Sequence, residues 1–274
     1  MTQPLETTQT NLTETQLTAF HDLALTLALE AGHLAADAFR HSDARRKGDG
    51  TLVTLADERN DRLITAGINA TYPDHAVLSE EQDTVYDPAN EFTWVIDPID
   101  GTTNFARGLL IWGVSIALLH HGLPVVGVVH FPLLQETYGA IIGRMATRNG
   151  EKIESAHDKE AGDQQLIMQC TRTMRHYHVK TPLKARILGS AAYHMTKVAD
   201  GTALAGIEST PKIWDLAAVA LILSEAGALL TTLDGEPIFP TPAVRHDYLS
   251  HSYPSLAAAN ESIYQQIFPA ILPR

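Results

Sequence analysis

Trp94-Val95-Ile96-Asp97-Pro98-Ile99-Asp100-Gly101-Thr102-Thr103-Asn104-Phe105 is the stretch from which the rest of the chain can be read. The apolar run Phe92 to Ile96 predicts a buried strand. It stops at a carboxylate, and a second carboxylate follows three positions on. Pro98 fixes φ and has no amide proton, so regular pairing ends there and a rigid turn aims Asp97 and Asp100 at one point. Two carboxylates so placed repel each other unless a proton or a cation lies between them. Oxygen donors with no Cys or His beside them favour Mg²⁺ or Mn²⁺ over zinc. Gly101, Thr102 and Thr103 then open a helix whose first amides suit a phosphate. The Asp pair alone also fits a strand, a proline turn and an Asp-capped helix; the full stretch is more specific.

Upstream, residues 1–14 are polar and predict a disordered tail, and Thr13 with Gln16 predicts a capping box. Leu17, Phe20, Ala24, Leu27, Ala31, Leu34 and Ala38 fall at helical spacing, so a long amphipathic helix is expected to about Arg40. Residues 45–51 are polar and glycine-containing, hence a loop, and a second helix follows over about Ala56 to Tyr72. Asp57 reads as an early-helix acid. A short strand, Ala76 to Leu78, ends in Ser79-Glu80-Glu81.

Downstream, Ile111–His120, Pro124–Phe131 and Thr137–Ile142 predict an antiparallel meander. His120 and His121 read as turn residues, because no carboxylate or thiol stands at ligand spacing beside them. Asn149-Gly150 marks a hairpin. The charged segment 151–164 divides an N-terminal half, 15–160, from a C-terminal half, 161–274, within one compact unit. Leu166 to Cys170 is a strand, and Arg172, Arg175, His176 and His178 form a basic island at a solvated helix start. Gly189-Ser190-Ala191 turns a strand into a helix that runs to about Asp200. Asp215 opens a helix with an apolar set at Leu216, Val219, Ala220 and Leu223. Lys212 is expected to face solvent. A last helix is predicted near Ala257 to Ile267.

At 274 residues with 45% hydrophobic content, the chain can bury a sizeable core. A net charge of −12 opposes a nucleic-acid surface. It does not oppose an anionic substrate, because a bound metal reverses the local field. The single cysteine, Cys170, excludes an intramolecular disulfide and fits a reducing cytoplasm. The N-terminus has no apolar secretory core, and no run approaches the ~18 apolar residues of a membrane span.

Three segments in order and spacing resemble the signatures of the inositol monophosphatase superfamily, the Mg²⁺-dependent, lithium-sensitive phosphatases. They are Ser79-Glu80-Glu81, the stretch 94–105, and Trp214-Asp215-Leu216-Ala217-Ala218 with Glu225-Ala226-Gly227. The resemblance covers roughly residues 20 to 265. It implies an α+β fold, a layered αβαβα sandwich, and usually a homodimer. It implies two or three Mg²⁺ per site, with Mn²⁺ as an alternative. Glu80, Asp97 and the carbonyl of Ile99 would hold one ion; Asp97, Asp100 and Asp215 would hold the other. Asp57 and Lys47 match residues that serve an additional metal and the attacking water. Thr102 and Glu80 would assist that water, which attacks in line with no covalent phosphoenzyme. Gly101 and Thr102 would hold the phosphate. Ser190, Ala191 and Glu208, with Asp100 and Asp215, would border the rest of the substrate.

The substrate is then a small phosphorylated polyol or sugar. Neutral Thr103 and Asn104 favour inositol 1-phosphate. Lys47-x-Asp-Gly-Thr keeps fructose 1,6-bisphosphate, histidinol phosphate and 3′-phosphoadenosine 5′-phosphate open. A non-catalytic metal-binding protein of the same fold is the alternative of another class.

Overall fold

The computed structural model describes residues 10–40, 44–48, 52–157 and 159–274. Helix α1 spans Glu14–Ala38, with the capping box between Thr13 and Gln16 that the sequence predicts. Its periodic residues Leu17, Phe20, Ala24, Leu27 and Ala31 are buried. Most of the expected 1–14 tail lies outside the described residues. Part of the expected 45–51 loop is instead a strand: Ala44–Arg46 pairs antiparallel with Leu52–Thr54. Arg45 and Arg46 are exposed, so no apolar alternation marks this short strand. Helix α2 is Leu55–Thr71.

The main sheet has seven strands in the order Glu151–Lys152, Thr147–Arg148, Glu136–Ile141, Leu123–Phe131, Gly113–His120, Phe92–Asp100, Ala76–Ser79. All neighbours are antiparallel except the last pair, which is parallel. The strands Gly113–His120 and Leu123–Phe131 are buried along their whole length, as their continuous apolar runs require. After Phe92–Asp100 comes the short helix α3, Thr102–Arg107. Helix α4 is Thr171–His176 and helix α5 is Ala191–Ala199. Helix α6, Ile213–Glu225, starts two residues before Asp215, which thus sits in its first turn rather than at its cap. Helix α7 is Glu261–Ile267.

A second, five-stranded sheet runs Lys184–Arg186, Leu166–Gln169, Ala205–Glu208, Ser255–Ala258, Leu229–Thr232. Ser255–Ala258 is therefore a strand where a helix start was expected. Small side chains suit its place, paired on both sides and fully buried. The layers follow in order: α1 and α2, the main sheet, α5 and α6, the second sheet, then α4 and α7. This is the αβαβα sandwich, with helices filling the space between two sheets. Helix α6 lies very close to the main sheet. A β-carbon on Gly127 would stand 2.7 Å from the Ala218 carbonyl oxygen, so only glycine fits there. That close approach sets where Asp215 can reach. No helix of the described residues is long and apolar enough to cross a membrane.

Candidate active site

The site grows from the end of Phe92–Asp100. Asp97 is the last residue in regular register, opposite Ser115; the pairing then shifts, and Asp100 stands opposite Gly113. Pro98 lies inside this irregularity, where its missing amide costs no ladder bond, so the expected strand-ending turn is instead a bulge within a strand that continues to Asp100. The Ile99 amide donates to Asp97 Oδ1 at 3.0 Å and fixes that carboxylate. The parallel strand Ala76–Ser79 ends at the same edge, with Ser79 opposite Ile96. Glu80 N–H reaches the Ile96 carbonyl at 3.3 Å, which puts Glu80 beside Asp97.

Helix α2 adds Asp57. Thr54 and Asp57 cap each other, with Thr54 N–H donating to Asp57 Oδ2 at 2.8 Å. The other oxygen, Oδ1, lies 3.1 Å from Thr102 Oγ1, which is also 3.0 Å from the Ile99 carbonyl. Asp100 is held from the far half of the chain. Ser190 Oγ donates to Oδ2 and the Ala191 amide to Oδ1 at 3.0 Å. Asp215 Oδ2 accepts from Lys212 N–H at 2.6 Å. Carboxylate oxygens of Asp97, Asp100 and Asp215 all lie within 4.8 Å of one another.

Burial is the main force on these acids. It pushes Asp97 well above the usual carboxylate range, and the charges of Glu80, Asp215 and Asp100 add to it. Asp215 is raised likewise, by burial and then by Asp100 and Glu80. Asp57 and Asp100 are each raised to about 6 by burial, against the hydrogen bonds each accepts. A hard divalent cation fits this donor set: carboxylates with no sulfur or nitrogen, crowded enough to need positive charge between them. The Lys47 ammonium, 2.8 Å from Glu80 Oε1 and 2.5 Å from Glu81 Oε1, already brings a cation to that edge. Burial opposes its charge, but the two glutamates outweigh burial and raise its pKa.

A pH prediction follows from the directions. An acid whose folded pKa exceeds its unfolded value stabilises the fold below the unfolded pKa, and that stability is lost as pH rises through the folded value. Chelated protein is therefore expected to melt higher at about pH 5 than at about pH 8. Added Mg²⁺ should erase most of the difference. Thermal melts with and without chelator check this; an unchanged or opposite trend would show that these acids are not forced together.

The acids open into a cleft of about 1150 Å³ lined by Glu80, Asp97, Ile99, Gly101, Thr102, Thr103 and Asp215, with cations around them. Lys212 and Arg172 are among the lining residues; Arg172 is exposed at the cleft, in keeping with the sequence reading, whereas Lys212 is half-buried in its wall rather than simply facing solvent. The Lys212 ammonium donates to the Leu249 carbonyl at 2.6 Å, and Arg172 to Thr210 Oγ1 at 2.8 Å. Arg107 lines the cleft as well.

Other expected substrate contacts are not brought to the lining. Ser190 and Ala191 are spent on Asp100. Glu208 is buried, and its carboxylate accepts from His194 Nδ1 at 2.5 Å. The Leu188 amide donates to His194 Nε2 at 2.9 Å, so the proton sits on Nδ1. Asn104 is buried and donates to the Ile111 and Leu188 carbonyls at 2.6 and 2.7 Å; it ties loops together rather than sensing substrate. Sequence reasoning missed His194 and also Asn60, which donates to the Pro98 carbonyl at 3.1 Å and steadies the bulge. Both reach their partners only across the fold.

A family model described as the inositol monophosphatase family matches residues 16–271. The Nus factor SuhB of Pasteurella multocida is 31% identical over 265 residues, covering 92% of this chain and 95% of that one. A histidinol-phosphatase of Chlorobaculum parvum is 36% identical over 219 residues, covering 75% and 82%. The solved IMPase of Thermotoga maritima superposes with a TM-score of 0.77 at 27% identity, covering 91% and 95%. These names differ in the substrate they give, or give none, but the matches all cover most of the chain. With the family model matched over nearly the whole chain and three acids converging at one strand end, the chain belongs to the inositol monophosphatase family.

Proposed function

We propose that the protein is a Mg²⁺-dependent phosphate-monoester hydrolase whose substrate is inositol 1-phosphate. The convergence of Asp97, Asp100 and Asp215 beside an open cleft that Asp97 and Asp215 line carries the hydrolase reading. Asp97, Asp100, Asp215, Glu80 and the Ile99 carbonyl would hold the ions, Mn²⁺ being an alternative, with Asp57 nearby for a further one. When bound, Mg²⁺ neutralises phosphate charge and makes a water more acidic.

The chain's own groups do the rest. Thr102 Oγ1 donates its proton to Asp57 Oδ1, which leaves its lone pairs to accept an O–H of the attacking water. Asp57, hydrogen-bonded to Thr102, stands where it can take a proton through that hydroxyl. Glu80 stands at the same edge to orient that water. The amides of Gly101 and Thr102 hold phosphate oxygens. Thr102→Val keeps the shape and removes the hydroxyl. It is expected to lower kcat by about 10²-fold or more with a smaller change in KM. A full kcat in steady-state assays would remove Thr102 from the mechanism.

Thr103, exposed at the cleft, still favours a neutral polyol next to the phosphate. The Asn104 half of that argument is withdrawn by its buried tie. Arg172, Arg107 and Lys212 favour a second reading, a substrate with a second anionic group. Phosphate release with Mg²⁺, with and without lithium, separates the two. The panel is inositol 1-phosphate, fructose 1,6-bisphosphate, histidinol phosphate and 3′-phosphoadenosine 5′-phosphate. The first reading expects the highest kcat/KM for inositol 1-phosphate and inhibition by lithium. A bisphosphate preferred by tenfold selects the second, and no turnover of any, with Mg²⁺ still binding, would point to a substrate outside the panel or to a non-catalytic metal-binding role. A homodimer in the cytoplasm is part of the same proposal, and light scattering tests the dimer.

A further inference from the structure

At the opposite end of the strand that carries Asp97, three metal-ligating side chains meet. Glu91 immediately precedes Phe92–Asp100, His120 ends Gly113–His120, and His121 begins the turn to Leu123–Phe131. One ligand atom from each lies within 4.8 Å of the others. Phe92 pairs directly with His120, so the sheet register puts Glu91 beside the His-His turn. The sequence reading found no carboxylate near these histidines because Glu91 is 29 positions away along the chain.

We infer that Glu91, His120 and His121 form a second metal site, specific for zinc or another imidazole-preferring divalent ion and separate from the active site.

Successive residues of a strand point to opposite faces, which would keep two adjacent histidines apart. Here the strand stops at His120, and His121 enters the left-handed region at φ 48°. The two-residue turn with Gly122 requires that backbone; it does not require histidine. The result is that both rings lie on one side, with centroids 4.4 Å apart. His120 is buried and stacks on Phe92 at 5.0 Å. The backbone is pinned as well, since His121 N–H donates to the Glu91 carbonyl at 2.8 Å.

His120 Nε2 is 3.4 Å from Glu91 Oε1. Bonds of ~2.0–2.1 Å around a tetrahedral zinc put neighbouring donors about 3.3 Å apart, so this edge is already near its bound length. Burial, with His121 beside it, lowers the His120 pKa against the pull of Glu91, which is the direction that favours a ligating imidazole. Two imidazoles and one carboxylate suit zinc, nickel or copper and not Mg²⁺, whereas the Asp97 cluster is all oxygen. Three protein donors leave a fourth position for water. Glu91 and His121 are exposed, so an ion can enter from solvent.

The test uses untagged, full-length protein with excess Mg²⁺ and the metal alone as probe. Zinc titration by calorimetry is compared across wild type, Asp97→Asn, His121→Asn and Glu91→Gln. Asparagine tolerates the left-handed backbone, so His121→Asn keeps the turn. Wild type and Asp97→Asn are expected to share one zinc-binding event that His121→Asn and Glu91→Gln weaken by about tenfold or more. Cobalt in place of zinc should give an intense tetrahedral visible band, lost in the same two variants. Mg²⁺-supported phosphatase turnover should be unchanged in His121→Asn. Equal zinc binding in wild type and His121→Asn would overturn the site and leave an ion pair only. So would a zinc event lost in Asp97→Asn alone.

Discussion

Asp97→Asn is expected to lower phosphate-monoester turnover by on the order of 10³-fold or more while raising the melting temperature of the chelated protein. The two halves of this expectation share one cause. Asp97 is wholly buried, fixed by the Ile99 amide, and crowded by Glu80, Asp100 and Asp215. In the proposed mechanism Asp97 would help hold the ions, so an amide in its place would remove charge from their site. Without metal, the same charge is a liability, because a buried carboxylate among carboxylates must be neutralised. Asparagine relieves that repulsion at nearly constant volume. The shift in melting temperature on adding Mg²⁺ should shrink correspondingly, since stabilisation by a ligand scales with its affinity for the folded state. Paired melts, with chelator and with Mg²⁺, and a phosphate-release assay test both arms. Retained turnover, or an undiminished Mg²⁺ shift, would displace Asp97 from the centre of the site.

The largest expected effect on stability lies elsewhere, at Lys197 of α5. Its ammonium is buried and donates to Glu136 Oε2 at 2.9 Å, Asp200 Oδ2 at 2.9 Å and Tyr138 OH at 2.6 Å. It also sits 4.8 Å from the Tyr193 ring centre and 5.2 Å from that of Tyr138. Arg148, 2.5 Å from Glu136 Oε1, is half-exposed and supplies the other positive charge. Burial and the Asp200 charge keep the Tyr138 phenol protonated, so it donates to Asp200 at 2.7 Å rather than adding charge. Lys197→Met fills the space but leaves two shielded carboxylates facing a single arginine. Breaking such a group by removing one partner costs about 3–5 kcal/mol. Urea unfolding should show this as a lower midpoint at an unchanged slope. The double variant Lys197→Met, Glu136→Gln should lose less than the sum of the two singles. Additive losses would mean that the ammonium contributes only its packing.

Much of the architecture was legible in local pattern. The 3.6-residue spacing from Leu17 to Ala31 marks α1 because each of those residues buries on one face. The continuous apolar runs mark the central strands for the same reason. The Thr13–Gln16 box was visible because its groups lie within one turn of each other. Asp97 and Asp100 were visible as a pair because only Pro98 and Ile99 separate them, although these form a bulge in the strand rather than the expected turn. Wherever local pattern was weak, the reading went astray. Ala44–Arg46 and Ser255–Ala258 are strands by virtue of their partners, not of their own alternation.

The sequence by itself therefore determined the long helices and central strands, the layered architecture through its family signatures, and the acid pair Asp97 and Asp100 near the end of one strand. Only the tertiary structure decided what those acids meet. Ser190 reaches Asp100 from 90 positions away, and His194 reaches Glu208 across 14. Asn104 turns from a substrate sensor into a tie between loops, and Lys212 and Arg172 join the cleft. Glu91 arrives beside His120 and His121 by strand register alone. The physical reason is one of range. Helical period, capping and turn chemistry act between residues a few positions apart. Charge, metal ligation and buried hydrogen bonding act through space, and the packing of α5 and α6 between two sheets sets those distances.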